Sequence, residues 1–325
     1  QKSCNEADKA LVGCAGAVNG TEDKACIDTQ WRSPADATMS ATDLDLLAYL
    51  GHPKAILLGA GGEARVYALD DARVVRILRA GAALADAEQR ASLMAEIQTG
   101  ARHLTFQVPS VDSVQAWNGR VFSVEPRLSG QPVSQRLESV SGTERTDLLF
   151  NYLNVVGQIR TISIDRPSYG PLLGGAELHK RDWGSFLRAR LERSLATCPT
   201  DLRPAVAAMR DIDLPVPTQA ALVHMDYFPG NVLAQGSSVT AVLDFGPSTI
   251  FGDPRMDAWS AVAYLDTETS PDATESDREL AMGWLADHNL TPHYSNAKSW
   301  LAAYWSFAAD DPALMRWCRR ILTNR

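Results

Sequence analysis

No run of apolar residues in this chain approaches the roughly 18 that a membrane-spanning helix needs. The opening QKSCNEADKALVGCAG has no basic start followed by an apolar stretch, so no secretory signal is read there. A cytoplasmic protein without a membrane partner is expected. Cysteine is scarce, with five in 325 residues and no C-x-x-C, which predicts free thiols rather than a thiolate metal or redox motif. Three of them, Cys4, Cys14 and Cys26, fall close together, and a disulfide within that segment is the alternative reading. Basic residues are the minority, 31 against 39 acidic, for a net charge of −8. That balance argues against a general nucleic-acid binder and mildly favours cationic or metal-bound ligands. H-E-x-x-H, G-x-S-x-G and G-x-x-x-x-G-K-[ST] are all missing, which removes the usual handles for zinc peptidases, serine hydrolases and P-loop enzymes.

What is present is ordinary for a globular protein of about two domains or one bilobal unit: 45% hydrophobic and 22% charged residues. Residues 1–40 carry small and polar side chains without a sustained period and read as an appended N-terminal extension, with a functional unit starting near Met39. Thr42 or Asp43 is expected to cap a short helix. The stretch 55–81 predicts three strands: Ala55 to Leu58, then Ala64 to Leu69 after a turn with Gly59, Gly61 and Gly62, then Arg73 to Leu78. A helix is expected from about Ala83 to Leu104, followed by two strands around Asn118-Gly119. Residues 41–128 thus form a small β-rich lobe. From Ser129 to the end, 129–325, the pattern is mainly helical, with helices over about 143–162, 183–197 and 201–211, a hairpin after Asn231, and Trp- and Ala-rich helices beyond 255. A cleft between two such lobes is a common ligand site.

The informative stretch is LVHMDYFPGNVL, residues 222–233, in which a strand-like run is interrupted by Asp226 and Asn231. Thirteen residues after Asn231 comes Asp244, in VLDFG. The three lie on turns flanking one short hairpin, whose ends can converge. An Asn oxygen and an Asp carboxylate, completed by water and phosphate, suit Mg²⁺. A second Asp that is not a ligand can accept a proton from an attacking hydroxyl.

HMDYFPGN (224–231), VLDFG (242–246) and GDPRMD (252–257), taken in that order, resemble the aminoglycoside phosphotransferase family, small-molecule kinases with the protein-kinase fold. The resemblance runs from about residue 45 to the C-terminus. It implies an α+β, protein-kinase-like bilobal fold with a small β-rich N-lobe and a larger, mainly helical C-lobe. It further implies that Asp226 is the catalytic base, that Asn231 and Asp244 hold Mg²⁺, and that the Gly-rich hairpin of residues 59–64, with Gly59, Gly61 and Gly62, covers the phosphates of ATP or GTP. The strand-three basic residue falls on Arg76, with Glu96 as its helix partner in preference to Glu88, and Glu125 to Leu128, including Arg127, matches the adenine-binding hinge.

Departures from the family pattern bear on the acceptor. Arg76 stands where Lys is usual, and Ala64 occupies the last glycine position of the phosphate-covering loop. Phe228 stands where Ser/Thr protein kinases carry a Lys, and no A-P-E follows the short span from Asp244 to Asp253. Both point to a small substrate bearing a hydroxyl or amine rather than to a protein. An aminoglycoside or related antibiotic is the first expectation. A sugar, amino-alcohol or homoserine kinase stands beside it, as does an inactive nucleotide-binding module. The chain is expected to work as a monomer or homodimer. His224, Asp253 and Asp257 are read as scaffold around the catalytic loop, the acids from Asp266 to Asp277 as a solvated connection, and Trp284, Trp300, Trp305 and Trp317 as core.

Overall fold

A computed structural model describes residues 41–309 and 311–324 of the chain. The appended segment 1–40 and its three cysteines lie outside the described residues. Helix α1 (Ala41–Tyr49) leads into strands β1 (Ile56–Ala60), β2 (Ala64–Ala68) and β3 (Arg73–Leu78), then helix α2 (Leu84–Gly100) and strands β4 (Ser113–Trp117) and β5 (Arg120–Pro126). The five strands form one antiparallel sheet in the order β1-β2-β3-β5-β4. Thr42 and Asp43 both fall inside α1 rather than at the position before it. Asp43 is instead a fully buried acid, paired with Arg65 at 2.9 Å and Arg120 at 3.0 Å, and it accepts a hydrogen bond from the Tyr67 hydroxyl.

Strand alternation sorts this sheet into two faces. Val75, Ile77, Phe122 and Tyr67 point one way and pack on Leu46 and Leu47 of α1. Val74 and Arg76 point the other way, and the register places them opposite Glu125 and Ser123. Charged groups on this second face therefore look toward α2 and the rest of the molecule.

The second lobe opens with β6 (Gln131–Pro132), α3 (Val133–Ser139), α4 (Gly142–Ile159), β7 (Gly170–Pro171), α5 (Trp183–Thr197) and α6 (Arg203–Ala207). It continues through β8 (Ala221–Val223), β9 (Val232–Gln235), β10 (Ser238–Val242) and β11 (Ile250–Gly252) to α7 (Arg255–Ala263), α8 (Glu275–Asp287), α9 (Tyr294–Trp305) and α10 (Pro312–Thr323). The strands make two small sheets, β10-β9-β6 and β7-β11-β8. Trp284, Trp300, Trp305 and Trp317 are all buried in one large core, which also takes in Leu93, Met94 and Ile97 of α2. Aromatic side chains of this size contribute much of the apolar burial, so the expected packing role of the Trp residues holds. Among the described residues, no helix is long and apolar enough to cross a membrane.

Candidate active site

The stretch 222–233 is held from three sides. β8 pairs with β11, which fixes Leu222 and Val223. The chain then turns at Met225, whose φ of +67° lies in the left-handed region. That conformation is unfavourable for a side chain of this size and persists only if the surroundings determine it. They do: the Met225 N–H donates to Asp257 Oδ1 at 2.8 Å, and the Met225 carbonyl accepts from the Tyr264 hydroxyl at 3.3 Å. The His224 N–H donates to the other Asp257 oxygen at 2.8 Å. Asp257 is thus a buried brace beneath the loop, and burial pushes its carboxyl up to about 7 despite those two donors.

His224 is equally structural. Its Nδ1 accepts from the Asp226 N–H at 3.2 Å, so Nε2 carries the proton and donates to the Leu243 carbonyl at 2.6 Å. Burial lowers the imidazole pKa, which keeps this neutral tautomer in place. The ring therefore ties the Asp226 loop to the residue preceding Asp244. A second tie is the Leu243 N–H, which donates to the Asn231 carbonyl at 2.8 Å. Asp226, Asn231 and Asp244 are brought together as the motif order predicts.

Asn231 is fully buried, and its Nδ2 donates to both the Asp226 carbonyl and Asp226 Oδ2, each at 3.0 Å. Its Oδ1 is sealed from solvent with no donor in reach. An orphaned amide oxygen beside a carboxylate fits a Mg²⁺ site, which takes oxygen ligands and little else from a protein. Asp244 adopts φ +60°, again left-handed, and is almost wholly buried. Asn231 and Asp244 are the residues that could hold the ion.

Asp244 faces the β-rich lobe. Arg76 Nη1 lies 3.4 Å from Asp244 Oδ1, and Arg76 Nη2 lies 3.2 Å from Glu63 Oε2 on the Gly-rich turn. Burial works against the Arg76 charge, but Asp244, Glu63 and Glu125 outweigh it and hold its pKa above the ordinary guanidinium value. Burial also pushes Glu63 up to about 6, opposed by Arg76.

The expected pairing of Arg76 with Glu96 does not form. Glu96 meets Arg166, with two hydrogen bonds of 2.8 and 2.6 Å, on a half-exposed face of α2. Helix α2 presents Arg90 to the sheet instead, and Arg90 Nη1 reaches Glu125 Oε1 at 2.7 Å. The signal was in the sequence: Ala87, Arg90, Leu93, Met94 and Ile97 share one helical stripe, whereas Glu96 is turned roughly 120° from Arg90 at 3.6 residues per turn. A lone cation on an apolar stripe calls for a buried acid, which Glu125 supplies.

A cavity of about 420 Å³ lies between the lobes, lined at one end by Arg76, Glu63 and Asp244 and along its length by Leu57, Val66, Val74, Leu128 and Leu233. Gly59, Gly61, Glu125 and Arg127 line it too, whereas Gly62 does not. The Gly61 N–H closes the turn on the Ala64 carbonyl at 2.9 Å rather than pointing at a ligand. Arg127 is exposed at the rim, its N–H bound to the Ala72 carbonyl at 2.7 Å.

A five-stranded antiparallel lobe over a helical one, with an Asp–Asn–Asp set at their junction, defines a kinase-like phosphotransferase. The sequence matches the model of the phosphotransferase enzyme family (APH) over residues 54–295, and the chain belongs to that family. Among solved structures it is similar to the streptomycin–ATP ternary complex of APH(2'')-IIa at 14% identity, with 88% of this chain and 97% of that one covered and a TM-score of 0.59. Macrolide 2'-phosphotransferase MphH from Brachybacterium faecium matches at 20% identity, 88% and 99% coverage and a TM-score of 0.51. Aminoglycoside phosphotransferase APH(3'')-Id from Streptomyces rimosus, bound to ADP and streptomycin, matches at 15% identity, 81% and 99% coverage and a TM-score of 0.52. No curated protein matches the sequence significantly. At these identities the structural likeness shows the fold, and it agrees with the bilobal α+β arrangement expected from the motifs.

Proposed function

We propose that the protein transfers the γ-phosphate of ATP or GTP to a hydroxyl group of a small molecule. The observation that carries this is the Asn231 amide, which clamps Asp226 with its nitrogen and leaves its oxygen without a donor. Asp226 then orients the acceptor hydroxyl and takes its proton as the oxygen attacks phosphorus. The bond from the γ-phosphorus to the bridging oxygen breaks, and the nucleoside diphosphate leaves. When bound by Asn231 and Asp244, Mg²⁺ would supply charge neutralisation at the phosphates. Arg76 adds a fixed cation at the same end of the cavity. Positioning and charge stabilisation dominate catalysis of this kind. The hydrogen-bonded scaffold of His224 and Asp257 keeps the loop in place without touching substrate.

The named ligands of the similar structures make an aminoglycoside or related antibiotic the first acceptor to try. A second reading, a less cationic acceptor such as a macrolide or a hydroxylated metabolite, has its own support. The acids after α7 are engaged by basic side chains: Asp266 by Arg320 and Lys298, Glu268 by Arg320, and Asp277 by Arg145. A phosphotransfer screen with ATP and GTP against aminoglycosides, macrolides and hydroxylated metabolites tests the function. The reading is sustained by an acceptor whose mass rises by one phosphoryl group. It is abandoned if no acceptor is modified and no nucleotide binds with Mg²⁺.

A further inference from the structure

The cavity between the lobes has two chemically different ends. Arg76 and Asp244 mark the charged one, and apolar side chains of Leu57, Val74, Leu128 and Leu233 line the rest of the space. A nucleotide fits such a space one way round, with phosphates at the charged end and base between the apolar walls. Glu125 stands on the base side, opposite Val74 across the β3–β5 ladder and immediately before Pro126. Nothing in the transfer chemistry above uses it, yet it is a buried carboxylate.

Its two oxygens differ. Oε1 accepts from Arg90 Nη1 at 2.7 Å and from the Ser123 hydroxyl at 2.6 Å. No donor among the described residues reaches Oε2, which is not one of the sealed polar atoms and opens on the cavity that Glu125 lines. Burial would push the carboxyl up, but Arg90 and Arg76 outweigh it and hold it below the usual range, so it is an acceptor only. The two backbone positions that follow add no donor: Pro126 has no N–H, and the Arg127 N–H is spent on the Ala72 carbonyl. A buried acceptor left bare is unfavourable, and an oxygen placed against it is worse.

We propose that Glu125, held by Arg90 and Ser123, selects the nucleotide, its unshared oxygen accepting a hydrogen bond from the exocyclic amine of a 6-aminopurine and rejecting the oxygen of a 6-oxopurine. This inference rests on the phosphotransfer reading and assigns the co-substrate that reading leaves open, ATP rather than GTP. The competing arrangement has Arg90 leave the carboxylate to serve a 6-oxo group. It would strand a buried Glu125 without its counter-ion, a strongly unfavourable exchange.

Calorimetric titration of the full chain with the Mg²⁺ complexes of ATP, GTP and ITP tests the inference, because ITP carries the 6-oxo group without the 2-amino group of GTP. ATP is expected to bind about tenfold to a hundredfold tighter than either, the range of one charge-assisted hydrogen bond. In the double variant Glu125→Gln with Arg90→Gln, which leaves no unpaired charge and an amide able to donate or accept, the ratio is expected to shrink to about threefold or less. Equal affinity for ATP and ITP, tighter binding of GTP, or an unchanged ratio in the double variant overturns the selector and leaves phosphotransfer standing. Should the double variant not fold, the wild-type ATP-to-ITP ratio decides alone. Failure of all three nucleotides to bind overturns the phosphotransfer reading itself.

Discussion

The Asn231 side chain gives both of its amide hydrogens' worth of bonding to Asp226, with Nδ2 at 3.0 Å from the carbonyl and 3.0 Å from Oδ2. One residue thereby positions the proposed base and keeps its own oxygen unpaired, where it would serve as a ligand of the proposed ion. The two roles separate by mutation. Asn231→Ala removes both, and transfer is expected to fall by about a hundredfold or more. Its ATP affinity in Mg²⁺ is expected to drop to the value found without Mg²⁺. Asn231→Asp keeps an oxygen ligand but sets a carboxylate against Asp226, so metal-dependent binding should survive while transfer is lost. Titrations with and without Mg²⁺ on both variants check this, and an alanine variant that keeps its Mg²⁺ dependence removes Asn231 from the ligand set.

Asp226→Ala is expected to retain nucleotide binding and to lose transfer by roughly three or more orders of magnitude, since the acceptor then has neither orientation nor a proton acceptor. Single-turnover phosphate transfer measured beside nucleotide affinity separates the two effects. Undiminished transfer would remove the base assignment.

Arg76 is shared between Glu63 and Asp244, and incoming phosphates must compete with Glu63 for it. Glu63→Gln is therefore expected to tighten ATP binding by about threefold to tenfold. Because burial places the Glu63 carboxyl at about 6, lowering the pH from 7 to 5 neutralises this competitor in the wild type. The affinity advantage of the Gln variant should shrink over that interval. A pH series of titrations on both proteins, referred to each other so that protonation of ATP cancels, reads the difference. A constant advantage at every pH would show that Glu63 titrates elsewhere.

Strand period and motif order made much of this architecture legible. The β-rich lobe follows from three alternating segments and the Asn118-Gly119 turn, and the helices over 142–159 and 183–197 lie within a residue or a few of expectation. The junction of Asp226, Asn231 and Asp244 was readable because it is local, carried by one hairpin. The partner of Arg76 was not, because it depends on how α2 is rotated against a sheet that the helix follows by several residues. Position along the helix favours Glu96, whereas the apolar stripe sets which residue faces inward, and that residue is Arg90. The sheet β7-β11-β8 is not legible in the sequence either, since strands of two and three residues carry no measurable period.

Gly130 sits where the chain passes from one lobe to the other, with φ +120°, and a Cβ there would lie 2.5 Å from Thr240 Oγ1 and 3.0 Å from the Ala234 carbonyl oxygen. The Thr240 hydroxyl cannot retreat freely, because it is bonded to the Ser129 carbonyl at 2.5 Å. Gly130→Ala is expected to destabilise by about 2 kcal/mol or more, combining backbone strain with contact. Gly119→Ala is the control: its φ of +74° is also left-handed, but nothing lies within 4 Å of the added carbon. It should lose only about 1 kcal/mol. Paired denaturant titrations rank the two, and equal losses would show that the crowding at Gly130 is relieved by a small shift.

Asp257 is expected to contribute to the pH dependence of stability. Its carboxyl is raised from an ordinary value of 3.8 to about 7 by burial. Between those values the folded protein binds a proton that the unfolded chain has released. The associated stability is fully present below about pH 4 and is lost as pH rises through 7, on the order of a few kcal/mol. The ionised form, however, is the one that accepts both the His224 and Met225 N–H groups. Global stability and the fit of the catalytic loop are thus expected to move in opposite directions with pH. Asp257→Asn abolishes the stability slope from this group, and its amide nitrogen faces one of the two donors, so the loop carrying Asp226 is displaced and transfer falls by about tenfold or more. Urea midpoints from pH 5 to 8 on both proteins measure the slope. A wild type and variant with parallel pH profiles would remove Asp257 as a group whose titration shifts between the folded and unfolded states.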